Sequence, residues 1–90
     1  MTLLDLAAVV SPIWGLINLL QVIIAKWDTP NWWRTLYCAG TTLSGIAILG
    51  AVGFDLGWFS LFAAVGALNH LSATLVHAGF CLRSNEAAVR

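Results

Sequence analysis

Residues 58–82 read WFSLFAAVGALNHLSATLVHAGFCL, an uninterrupted run without Asp, Glu, Lys or Arg, closed by Arg83. As a helix rising 1.5 Å per residue, this run reaches about 37 Å, enough to cross a hydrocarbon core of roughly 30 Å. Working back toward the N-terminus, a second apolar stretch lies between Thr35 and Phe54, ahead of Asp55, and a first between Leu4 and Ala25, ahead of Lys26 and Asp28. Asp5, near the entrance of the first stretch, is the single charge inside any of them. A charge at the centre of a membrane helix costs roughly 2.5–3.5 kcal/mol on the insertion scale, so its absence from the deep parts is informative.

Composition agrees. The 90 residues are 60% hydrophobic and 9% charged, with a formal net charge of zero. Soluble domains carry about 25% charged residues, and so few here cannot solubilise this much apolar surface. The reading is an all-α integral membrane protein, three transmembrane helices in a small antiparallel bundle, with spans at about 4–25, 30–54 and 56–82 and a short polar tail at 83–90. The lipid bilayer is its first partner. No basic run points to nucleic acid. The first stretch lacks a positive n-region and a small-x-small cleavage site, so it reads as a retained helix and not as a secretory signal.

Local punctuation refines the ends. Thr2 and Asp5 can cap the first helix, and Thr29-Pro30 resembles an N-cap followed by proline at the first helical position. Gly53 is a plausible terminator of the second helix and Asp55 a plausible cap of the third. Pro12, inside the first helix, should bend it and leave one carbonyl without its usual partner.

Orientation follows from the basic residues. Lys26 and Arg34 lie in the first connection, and Arg83 and Arg90 follow the third helix. In a three-span chain these regions share one side, so the positive-inside rule gives N-terminus out and C-terminus in, with a bacterial inner membrane as the expected location. Trp27, Trp32, Trp33 and Tyr37 would then form an inner aromatic belt, and Phe54, Trp58 and Phe59 an outer one. Cys38 and Cys81 would both lie near the inner face as reduced thiols, since neither belongs to a CxxC or zinc-like pattern.

Polar residues within the spans carry the functional clues. Asn18 and Gln21 in the first helix, Gly40, Ser44 and Gly45 in the second, and Gly66, Asn69 and Ala73 in the third form a candidate interaction set. The bland account is packing: small residues admit close backbones and polar ones bond across helices at roughly 0.6 kcal/mol each. The glycines of the second helix make it and the third the expected tightest pair.

His70 and His77 are seven residues apart and share one face, about 10 Å apart along the axis. An ionisable residue in a membrane is a functional hypothesis by default. A neutral imidazole could ligate the metal of a haem or a bacteriochlorophyll, although no cofactor is the leading expectation. The spacing of Ala73-Thr-Leu-Val-His77 resembles the Ala-x-x-x-His pattern of bacterial light-harvesting polypeptides, which are single-span. His77 is expected to reach headgroups or water, and His70 to bond Asn18, Thr41 or Ser44 or a neighbouring subunit.

Catalysis finds no support: there are no paired carboxylates in the spans, no supported Ser/His/Asp set and no metal-spaced cluster. The leading functional reading is a non-enzymatic accessory or assembly subunit of a larger membrane complex, respiratory or photosynthetic. The alternative is a self-oligomerising, membrane-permeabilising protein, since three spans with this orientation resemble one group of phage holins in topology.

Overall fold

The computed structural model describes residues 2–25, 32–53 and 57–89, the segment 84–89 as backbone only. It is all-helical: α1 (Leu3–Ala25), α2 (Trp32–Val52) and α3 (Trp58–Val89). All three are long and apolar enough to cross a membrane. Trp27, the Thr29-Pro30 cap, Phe54, Asp55 and Arg90 lie outside the described residues.

The helix ends have local causes. The Asp5 carboxylate accepts from the Thr2 N–H at 3.1 Å, and the Thr2 hydroxyl accepts from the Asp5 N–H at 3.2 Å. This reciprocal box satisfies two amide donors at the start of α1. At the far end of α2, Gly53 has φ +89° and donates to the Leu49 carbonyl at 2.9 Å, the left-handed stop that glycine allows. Ser60, in the first turn of α3, donates to the Gly53 carbonyl at 2.6 Å and so ties the end of α2 to the start of α3. The Gly57 carbonyl accepts the first helical bond of α3, from Leu61.

The stretch of α3 that is apolar enough to cross a membrane closes at Arg83, and the polar tail after it continues the helix to Val89. Arg83 marks where apolar character ends, but nothing between it and Val89 breaks a helix, and Glu86, Ala87 and Ala88 have good helical propensity.

Contacts between named residues give the register. Ser11 meets Gly66 and Asn18 meets His70, so α1 and α3 run parallel. Gly45 meets Ala67, Thr42 meets Thr74 and Thr35 meets His77, so α2 runs against α3. These directions put Asp5 at one end of the bundle and Arg34 and Arg83 at the other.

The most extensive interface joins α1 to α3, with α2–α3 second and α1–α2 least. This corrects the expectation that α2 and α3 form the tightest pair. In α1 the buried positions are Ala8, Ser11, Gly15, Asn18 and Val22. Their alternating steps of three and four residues form a seam of the coiled-coil kind. A Cβ on Gly15 would come within 2.7 Å of Asn69 Cβ and 3.0 Å of the Gly66 carbonyl oxygen, while one on Gly66 would run into the Ser11 side chain. The backbones of α1 and α3 are that close because neither glycine has a side chain.

The core is small and polar, and the surface is large and apolar. Ala8, Ala63, Ala67 and Ala73 are buried beside Ser11, Asn18, Thr42, Ser60, His70 and His77. Leu, Ile and Trp side chains of all three helices face outward. That inversion suits a hydrocarbon solvent, which gives aliphatic side chains no reason to hide and gives polar ones every reason to find partners.

Candidate functional site

The candidate site is a hydrogen-bonded layer that crosses all three helices. Its centre is His70, 3% exposed on α3. The seam of α1 brings Asn18 to the same level, where its side-chain amide nitrogen is 3.0 Å from His70 Nδ1. The Tyr37 hydroxyl of α2 donates to Asn18 Oδ1 at 2.7 Å. With Tyr37 donating to the amide oxygen, the amide nitrogen donates to Nδ1, and a neutral imidazole then carries its proton on Nε2. Asn18 thus uses both ends of its amide, one toward each neighbouring helix.

A second set of bonds joins α2 to α3. The Thr42 hydroxyl donates to the His70 carbonyl at 3.0 Å and lies 2.7 Å from the Thr74 hydroxyl, which in turn reaches the Cys38 carbonyl at 3.0 Å. Two hydroxyl protons serve these three contacts, so two are donated at any instant. Below this set, toward the Arg34 end, His77 Nε2 lies 3.3 Å from the Thr35 hydroxyl, and Cys81 Sγ is 3.7 Å from the same nitrogen.

The His77 side chain therefore does not reach out of the bundle. It is 3% exposed and bonded inside the bundle, because the face that carries His70 also carries residue 77 inward two turns later. Asn69 joins the α1–α3 contact, its amide donating to the Pro12 carbonyl at 3.0 Å. Gly66 and Ala73 are buried, and Gly45 packs on Ala67 and on the His70 ring. The other members of the expected packing set face outward. Gln21 and Gly40 are exposed, Gly40 has open space where a side chain would stand, and exposed Ser44 bonds back to the Gly40 carbonyl. Helical phase is the reason: α2 turns Cys38, Thr42 and Gly45 inward, which leaves residues 40 and 44 outside.

Trp32, Trp33 and Trp58 are among the most exposed side chains, as interfacial anchors require, and Trp32 and Trp33 meet edge to face. Tyr37 departs from the belt reading, since it is half-buried and its hydroxyl points at Asn18. Cys38 and Cys81 are free thiols.

As it is bonded here, His70 is ill-suited to a tetrapyrrole. An axial histidine offers a bare Nε2 and donates through the other nitrogen. Here Nδ1 accepts and Nε2 holds the proton. No group of three or more metal-ligating side chains occurs among the described residues. Thr74 and Tyr37 are absent from the sequence-derived set. Thr74 stands one turn from His70 on the same face, and that spacing was the available signal.

No family model, curated protein or solved structure matches the chain.

Proposed function

We propose that the chain is a non-enzymatic integral membrane protein, N-terminus out and C-terminus in the cytoplasm, serving as an accessory or assembly subunit of a larger complex in a bacterial inner membrane. A respiratory or photosynthetic complex is the preferred setting. The observation that carries this reading is the outer face of α2. Gly40, Ser44, Ala47 and Gly50 are all exposed, and no atom of another described helix lies within 4 Å of where a Cβ on either glycine would stand. Small residues on a lipid-facing surface let another helix approach closely, and α2 is the least buried helix of the three.

The internal layer supports the same reading over the pore-forming one. His70, His77, Asn18 and Thr42 all turn inward and find hydrogen-bond partners within a single chain, whereas a pore-lining subunit needs a polar stripe on its outside. The Arg34 and Arg83 end is the inner one under the positive-inside rule.

The test is affinity capture from the native host in a mild detergent, with wild type and Gly50→Leu in parallel. Stoichiometric recovery of larger membrane proteins, lost in Gly50→Leu while the variant still folds, supports the subunit reading. Recovery of the chain only as a homo-oligomer that releases dye from vesicles supports the holin-like alternative and overturns the subunit reading.

A further inference from the structure

Between α1 and α2, the pair with the smallest interface, a cleft of about 240 Å³ opens. Ala7, Val10 and Trp14 form one wall, Gly45 and Ile48 with the Thr41 and Ser44 hydroxyls the other, and His70 of α3 also lines it. Val10 and Trp14 are 45% and 47% exposed, so the mouth of the cleft is on the outer surface of the bundle and its rim is apolar.

Two polar groups in this cleft lack partners. Ser11 lines it and is 4% exposed, and its hydroxyl, resting over Gly66, has no hydrogen bond. His70 bonds through Nδ1, and Nε2 has no hydrogen-bond partner among the described residues. The adjoining Cδ2 is 3.1 Å from where a Gly45 Cβ would stand, which places this edge of the ring at the cleft wall. Because Asn18 donates to Nδ1, Nε2 carries the proton, and the Ser11 hydroxyl can donate as well. A buried hydroxyl without a partner, as at Ser11, is costly, most of all where lipid replaces water.

We propose that this cleft binds a lipid-soluble carbonyl compound, its carbonyl oxygen accepting from His70 Nε2–H and the Ser11 hydroxyl. A carbonyl oxygen has two lone pairs and takes two donors at once, and the remainder of such a molecule suits the rim and the mainly apolar walls, whose Thr41 and Ser44 hydroxyls already bond their own helix. A quinone ring and the acyl ester of a membrane lipid share this chemistry. The site requires the chain to lie in lipid, but does not depend on the partner complex.

The test uses the full chain, ¹⁵N-labelled at histidine, in nanodiscs of ether-linked lipids that contain no carbonyl. A decyl-tailed 1,4-benzoquinone and a diacyl phosphatidylcholine are added in separate titrations. A saturable shift of the His70 Nε2 signal is expected, with His77 unmoved as the internal reference. The titration that produces the shift identifies the source. Ser11→Ala should weaken binding about tenfold, the loss of one hydrogen bond in a buried site, while leaving the unliganded fold as stable as before or more so. Ala7→Phe, which fills the cleft without touching either donor, should abolish the shift. If neither probe moves the His70 signal, or both variants respond like wild type, the proposal is overturned.

Discussion

The side-chain amide of Asn18 lies 3.0 Å from His70 Nδ1, joining residues 52 positions apart through the middle of the bundle. Both are almost wholly buried, so each is the other's substitute for water. A double-mutant cycle of Asn18→Ala and His70→Ala should give a coupling of about 0.6 kcal/mol, the mean for membrane helices, and at most about 1.7. Unfolding in mixed detergent micelles measures it. Additive single-mutant effects would show that the pair does not interact.

Close approach of α1 and α3 makes glycine positions unequal. Gly15→Ala puts a methyl 2.7 Å from Asn69 Cβ, an atom held against backbone that cannot swing aside. A loss of about 1–3 kcal/mol is expected, the usual cost of overpacking. Gly40→Ala meets nothing, so it should leave stability unchanged or raise it by up to about 1 kcal/mol through helix propensity. Thermal unfolding of the two variants side by side decides the matter.

Within the α2–α3 contact, Gly45→Leu should disturb the fold more than Leu49→Ala. Gly45 faces Ala67 Cα at 3.2 Å from its would-be Cβ, whereas Leu49 is only half-buried. Equal tolerance of both changes, read from detergent-solubilised yield and melting temperature, would contradict this contact.

The protonation pattern at His70 has a spectroscopic signature. In ¹⁵N spectra of the imidazoles, His70 should show a protonated Nε2 and a bare Nδ1. Visible spectra of wild type and His70→Ala, each purified with native partners, should both lack a tetrapyrrole band. A band present in wild type and lost in the variant would establish ligation instead.

Sidedness is open to a direct assay. A reporter fused after Arg90 that is active only in the cytoplasm should be active, and one fused before Thr2 should not. The opposite pattern would invert the orientation and put Cys38 and Cys81 near an oxidising compartment.

Much of the fold is legible in the sequence because hydrocarbon imposes a simple rule on length and charge. The three helices, the Thr2–Asp5 box and the Gly53 stop all follow from residues that act locally. Depth along the helices offers His70 three partners within the chain, Asn18, Thr41 and Ser44, and does not choose among them. The pairing of helices was not legible in the same way. Counting glycines favoured α2, but Gly40 and Gly50 face outward and the deciding contacts are Ser11 with Gly66 and Gly15 with Asn69. Small and polar residues occur on several faces of α2, so composition does not fix its rotation, and the inward roles of Thr42 and Tyr37 depend on that rotation. The seam Ala8, Ser11, Gly15, Asn18, Val22 was a better signal, since its spacing singles out one face.

The dominance of the α1–α3 interface also sets a schedule. A chain made from its N-terminus releases α1 and α2 first, and these share the smallest contact in the bundle. Until α3 emerges, Asn18 has Tyr37 but not His70, and Gly15 presents bare backbone to whatever lies beside it. An α1–α2 hairpin without α3 therefore leaves the face of Gly15 and Asn18 uncovered. Completion comes only when α3 packs parallel to α1 and covers that face.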